Sequence, residues 1–338
     1  IGAVNNVSYI YNAGDFTATG AVSGTEYNDT IVAVGKFEAA SVDFGAGYNQ
    51  ITAYDDFKVT GAVDKVSYIY NAKDFTAGDI AGTEYNDSIV AVGKFEAASI
   101  DFKEGYNQIV AYDDFKVTGA IDNVSYIYAG KDFTAGAVTG TEYNDSLVSG
   151  YDADMTLGEV KLGAGNDVVN LGVLSNTTFG GLNGGEGYDA LYLGYGANLV
   201  INGSIENFEA VVGSYTNNII LTGTMNSEAK AMADAYGINV FENAELFAGA
   251  VSAETLDADN GYDIFNLSAD STWNCVIDSG EVKVYAFNQS SFTWESISAI
   301  SNSHPEEFEI VNSGKYSMVR VELDKDKATS VTYDVSLA

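Results

Sequence analysis

Short apolar runs return along the first half of this chain at a spacing near 20 residues. Val7-Ser8-Tyr9-Ile10-Tyr11 comes back as Val66-Ser67-Tyr68-Ile69-Tyr70 and as Val124-Ser125-Tyr126-Ile127-Tyr128. Within these blocks a Phe marks a finer beat: Phe16, Phe37, Phe57, Phe75, Phe95, Phe115 and Phe133, 18 to 21 residues apart. An aliphatic residue follows five or six places later, at Val22, Val42, Val63, Ile80, Ile100 and Ile121. A coil of this length cannot bury its own apolar face, but stacked coils can, because equivalent positions lie on top of one another. The pattern predicts an all-β fold, a parallel β-roll or β-solenoid.

Three coils of one block align as Tyr9–Val22, Ile31–Phe44 and Ile51–Asp64. Each holds a β-branched or aromatic run, a polar turn, a Phe, a second short run and another turn. That predicts two strands and two turns per coil. Coils then pair in parallel about 4.8 Å apart, and alternation sends one set of side chains inward. The beat loosens after Gly150 but persists through Val168-Val169-Asn170-Leu171 and Ala190-Leu191-Tyr192-Leu193 to about residue 222. About eleven coils fit that length, a rod on the order of 50 Å long. Ser227–Tyr236 has a Ser cap, an early Glu, Ala-rich helix formers and Gly237 to stop it, so one short helix is expected there. Beyond it, Glu281–Phe287 and Ser317–Leu323 alternate as strands of a smaller β domain or cap. The division expected is 1–222 for the solenoid and 223–338 for the helix and C-terminal β domain.

Charge narrows the partners. Lys plus Arg total 15 against 48 for Asp plus Glu, a net charge of −33. Such a polyanion repels nucleic acid and anionic lipid and attracts divalent cations. No apolar run is long enough to span a bilayer, so membrane insertion is not expected. One Pro against 36 Gly means that turns fall to Gly, Asn and Asp. Cys275 is the only cysteine, which rules out an internal disulfide, and it reads as a core residue. His304 is the only histidine, so a His-based acid–base pair or zinc cluster cannot form. Asp55-Asp56 and Asp113-Asp114 are paired carboxylates, but their repetition favours turn or ion-site roles over a catalytic pair. The chain opens at Ile1 near a repeat boundary and is expected to be a processed or excised piece of a longer protein.

The chemistry lies in the turns. Gly184-Gly185-Glu186-Gly187-Tyr188-Asp189-Ala190-Leu191-Tyr192 fits G-G-x-G-x-D-x-U-x, where U is a large apolar residue. Leu162 to Asn170 fits after loss of the first Gly, with Gly163, Gly165 and Asp167 in place, and Ala258 to Asn266 fits more loosely around Asp263. Here glycines let backbone carbonyls converge, a carboxylate closes the spot, and the next coil adds oxygens; Ca²⁺ takes six to eight such ligands. Gly24-Thr25-Glu26-Tyr27-Asn28-Asp29 returns at Gly82–Asp87 and Gly140–Asp145 as a degenerate version, and Asn replaces Asp at Asn49 and Asn107. An Asn can offer a neutral oxygen or close the turn by its own hydrogen bond. On residues 162 to 193, the chain resembles the RTX, or haemolysin-type, parallel β-roll family. That resemblance implies Ca²⁺ as the bound ion, held at Asp167, Asp189, Asp263, Asp145, Asp87 and Asp29 with their turn glycines.

Tyr27, Tyr48, Tyr85, Tyr106, Tyr143, Tyr188 and Tyr262 all precede a turn Asn or Asp. They read as a packing ladder beside the turns, with a carbohydrate-stacking face as the alternative. A repeat body, scarce Cys and no catalytic constellation lead to a non-enzymatic, extracellular or cell-surface structural protein. A surface-layer or filament subunit, or an adhesin segment, would fold and self-associate with calcium, with a surface polysaccharide as a further partner. Two alternatives stand beside it: the β-roll region of a secreted RTX-type enzyme, and a carbohydrate-binding module.

Overall fold

A computed structural model of the chain describes residues 1–257, 262–300, 304 and 306–338. The fold is all-β apart from one short helix, and its repeat body is a parallel β-solenoid. Contacts divide the chain into two units, Ile1–Leu199 with Glu206–Val212, and Val200–Ile205 with Gly213–Ala338.

In the first unit, one strand from each coil builds an eleven-stranded parallel sheet that begins at Tyr9–Asn12 and ends at Ala210–Val212. Pairing is in register throughout: Ile10 lies on Ile31, Ile31 on Ile51, and Ile69 on Ile89 and then Ile109. The rest of each coil forms a second sheet, as the two-run coil predicts. Met155–Ala164 and Asn176–Glu186 carry that second run as single strands, whereas in the N-terminal coils it breaks into two short strands, as in Phe37–Ala39 and Ser41–Asp43. Between them the backbone turns a corner on small residues. The corner amides bond down the stack, Gly61 to Ala40 (2.8 Å), Gly78 to Gly61 (2.9 Å) and Ala98 to Gly78 (3.0 Å).

The predicted core is present. The seven Phe rings stack face to face, with neighbouring centroids 4.5 to 4.9 Å apart and planes within 9° of parallel. Beside them Val22, Val42, Val63, Ile80, Ile100 and Ile121 form a second buried column. Both columns are buried, so a stack of coils hides a continuous strip that one coil would leave wet.

In the second unit, the predicted helix spans Ser227–Tyr236 and ends at Gly237, whose φ of 71° forms the left-handed cap. The N-cap position falls on Asn226 instead of Ser227, whose hydroxyl bonds Glu228 (2.8 Å). Five strands, Ala244–Phe247, Tyr262–Asn266, Tyr316–Leu323, Val282–Asn288 and Thr293–Ile297, form one sheet. Val251–Asp257, Ser330–Leu337, Thr272–Ser279 and Glu307–Val311 form another. Inward residues of both, among them Trp273, Cys275, Tyr333, Val319 and Val321, share one apolar cluster, so the two sheets make a sandwich. Cys275 is buried as expected, and burial pushes its thiol up to about 12, which makes it inert. Arg320 lies among the rings of Phe241, Tyr285 and Trp294, 4.3 to 5.0 Å from their centroids, with Glu322 at 3.1 Å. No helix among the described residues is long and apolar enough to cross a membrane.

Candidate functional site

The turns that carry Asp29, Asn49, Asp87, Asn107, Asp145, Asp167 and Asp189 lie on one edge of the first unit. All seven side chains are buried, at 0 to 1 % exposure, which is unusual for charged groups. Asn49, Asn107, Asp167 and Asp189 reach back by one coil. Asp29 N donates to Asn49 Oδ1 (2.9 Å), Asp87 N to Asn107 Oδ1 (2.8 Å), Asp145 N to Asp167 Oδ1 (2.7 Å) and Asp167 N to Asp189 Oδ1 (2.8 Å). Glu209 Oε2 extends the ladder by accepting from Asp189 N (2.7 Å). The buried turn amides thus find acceptors on the next coil.

Every third coil is shorter and departs from this. Lys65 and Asn123 close its turn in the left-handed region, at φ of 58° and 60°. Their carbonyls accept Asn49 Nδ2 (2.8 Å) and Asn107 Nδ2 (2.9 Å). Ser67 and Ser125 stand in for the missing carboxylate and lie 3.3 and 3.1 Å from the hydroxyls of Thr83 and Thr141.

Two kinds of Asp rung follow from the residue four places earlier. For Asp29, Asp87 and Asp145 that residue is Thr25, Thr83 or Thr141. Its amide donates to Oδ2 (2.8, 2.8 and 2.6 Å) and its hydroxyl to Oδ1 (2.7 Å in all three). Both oxygens of these carboxylates are engaged inside their own turn, so each staples the turn without further help. For Asp167 and Asp189 the equivalent residue is Gly163 or Gly185. Oδ1 serves the ladder as before, but Oδ2 of each is buried and has no donor. An ionised oxygen in that position is costly unless something neutralises it.

The glycines explain why the turn differs. Gly163, Gly165, Gly185 and Gly187 all have positive φ, from 104° to 135°. A Cβ on Gly185 would lie 1.8 Å from the carbonyl oxygen of Gly163, and one on Gly187 1.5 Å from that of Gly165. Only a residue without a side chain lets these carbonyl-bearing turns stack. Burial pushes the Asp167 carboxyl up to about 7, with the charges of Asp145 and Asp189 adding to it. Asp189 is raised by burial and then by Glu209. Burial also raises Asp145, and Asp87 to about 6, against the bonds from Thr141 and Thr83.

Asp263 is placed elsewhere. It lies on Tyr262–Asn266 in the second unit, paired with Glu245 on one side and Val321 on the other. Tyr333 donates its hydroxyl to Asp263 Oδ2, while Oδ1 is buried without a partner, and burial pushes the carboxyl up to about 7. Residues 258–261, the glycine-turn half of that motif, lie outside the described residues.

The paired carboxylates are turn residues with lysine partners: Asp55 with Lys73 and Asp113 with Lys131 (2.9 Å each), Asp56 with Lys36 and Asp114 with Lys94 (3.4 Å each). The Lys73 bond holds Asp55 below the usual carboxylate range. Six of the seven turn tyrosines differ from the packing ladder expected: Tyr27 is 78 % exposed, and Tyr48, Tyr85, Tyr106, Tyr143 and Tyr188 also face solvent, while Tyr262 packs on Phe241. His304 lies near Glu306 and Glu307 on the surface. The residues sequence reasoning passed over are Thr25, Thr83 and Thr141, Ser67 and Ser125, and Glu209. The first three were readable, since Thr precedes Asp by four wherever the glycine motif is degenerate. Compared with known proteins, the chain matches no family model, no curated protein and no solved structure.

Proposed function

We propose that this chain is a calcium-responsive structural protein of the cell exterior, a subunit of a layer or filament or a segment of an adhesin. The observation that carries this reading is the pair of stacked, buried carboxylates at Asp167 and Asp189 whose Oδ2 atoms have no donor. A hard cation suits such oxygens, and the ligands would be those two carboxylates with carbonyls of the turns around Gly163, Gly165, Gly185 and Gly187. Bound Ca²⁺ would supply the positive charge that the glycine substitution leaves missing, and so couple ion binding to folding of these coils. The Thr-stapled rungs at Asp29, Asp87 and Asp145 need no ion, so the N-terminal coils would be ordered with or without it. This departs from ion rows along the whole edge, which the RTX resemblance implies. The net charge of −33 supports cation-dependent assembly, because Ca²⁺ can also bridge surface carboxylates between copies.

Light scattering and negative-stain microscopy in Ca²⁺, Mg²⁺ and chelator test the reading. Ordered polymers are expected in Ca²⁺ and fewer in Mg²⁺, which prefers strict octahedral geometry and keeps its water. A chain that forms nothing larger than a dimer under all three conditions contradicts it.

A further inference from the structure

The eleven-stranded sheet of the first unit has an outer face without charge. Its outward positions form two rows. One runs Tyr9, Thr30, Gln50, Tyr68, Ser88, Gln108, Tyr126, Ser146 and onward, the other Tyr11, Val32, Thr52, Tyr70, Val90, Val110, Tyr128, Val148 and onward. No residue of either row, through Ala210 and Val212, is Asp, Glu, Lys or Arg. The other sheet of the same unit carries Glu38 beside Lys58, Glu96 beside Lys116, and Asp101 beside Asp122 on its outward positions. In a chain of charge −33, one whole face has been kept neutral.

The face is also corrugated. Tyrosines gather at every third coil: Tyr54 packs on Tyr70 and Tyr112 on Tyr128, at 6.0 Å between centroids in both cases. These pairs, with Tyr68 and Tyr126, make ridges about 14 Å apart. Between them lie troughs two coils wide, floored by uncharged residues without rings, Ser88, Val90, Gln108 and Val110. Along one margin run the ion pairs of Asp55 with Lys73 and Asp113 with Lys131. An uncharged, tyrosine-rich centre with a charged rim is the anatomy of a protein interface.

We propose that this face is the contact between two copies of the chain, related by a twofold axis that lies in the plane of the contact, perpendicular to the stacking direction of the coils. Three observations select a second copy. Two polyanions can approach closely only where neither presents carboxylates, and this face meets that condition. The ridges of an antiparallel copy have the same spacing as the troughs they would enter, which an isologous contact needs. Eleven strands of about four residues cover roughly 650 Å² per copy, or about 1,300 Å² for the pair, within the range of specific interfaces. The contact goes beyond the calcium reading and does not depend on it, because no turn carboxylate takes part. Its long-range opponent is like-charge repulsion, so simple salt strengthens it.

Sedimentation equilibrium in chelator and about 0.15 M NaCl, at concentrations on the order of 100 μM, tests the proposal. The wild-type chain is expected to be dimeric. Val90→Lys and, separately, Thr52→Lys place a charge on the face and should weaken the dimer by roughly a hundredfold or more. Thr76→Lys, on the other sheet, should leave it unchanged, and circular dichroism confirms that each variant is folded. A wild-type monomer in chelator overturns the proposal, whether or not that monomer is retained by an insoluble neutral polysaccharide such as cellulose. So does a dimer that tolerates both face lysines, or one that forms only with Ca²⁺.

Discussion

At the scale of single residues, one exchange separates two behaviours of the same buried Asp. A Thr four places earlier supplies two donors and completes the carboxylate; a Gly supplies room for the turn but leaves Oδ2 bare. The pH dependence of the metal-free protein follows. Asp167 titrates from an ordinary value of 3.8 to about 7 in the folded chain, so the folded state binds its proton more readily. Its contribution to stability is full below about 4 and is lost as pH rises through about 7. In chelator, thermal melts should therefore show higher stability at pH 5 than at pH 8. Asp167→Asn should flatten part of that slope and stabilise the chelated protein at pH 8 by about 1–3 kcal/mol, read from urea melts. The precedent is Asn49, which fills the same rung and donates Nδ2 to Gly45 O (3.1 Å). A metal-free protein that grows less stable from pH 8 to pH 5 would contradict the assignment of that buried charge.

At the scale of elements, the coil beat was legible because stacking demands that equivalent positions repeat. Phe95 lies between Phe75 and Phe115, with centroids 4.7 and 4.5 Å away, and is fully buried. Phe95→Ala should cost about 3–5 kcal/mol in urea melts. Glu104→Ala, in an exposed turn, should stay within about 0.5 kcal/mol. Equal stability of the two would break the register. Gly185→Ala meets both a positive φ and the Gly163 carbonyl, and should lower the melting midpoint with a loss of more than about 1 kcal/mol. The helix was equally legible, since its Ala-rich run and Gly stop are local signals. What sequence did not reveal was the corner in the second sheet. Ala40, Gly61 and Gly78 recur as small residues at the coil spacing, but a small residue between two apolar runs does not by itself separate a corner from a continuous strand. The exposure of the turn tyrosines was hidden for a related reason. Alternation assigns faces within strands but says nothing of residues at the turn itself.

At the scale of the whole molecule, the chain spreads one repeat over several tasks. Phe and aliphatic columns hold the coils together, the turn ladder satisfies the buried amides, and the neutral sheet face leaves a surface where like-charged copies can meet. The candidate site was only half legible. The nonapeptide glycines and their Asp stand out as a motif, whereas the Thr staple of the degenerate turns, although only four residues from its Asp, is carried by an ordinary residue that no motif marks. The central claim is that calcium belongs to the glycine turns and not to the Thr-stapled ones. Isothermal titration calorimetry with Ca²⁺ on two variants tests it most directly, one carrying Asp167→Asn and Asp189→Asn, the other Asp29→Asn, Asp87→Asn and Asp145→Asn. The account predicts that the first variant loses the tight binding seen in the wild type while the second retains it. Loss in the second with retention in the first, or no binding to the wild type at millimolar Ca²⁺, would contradict it.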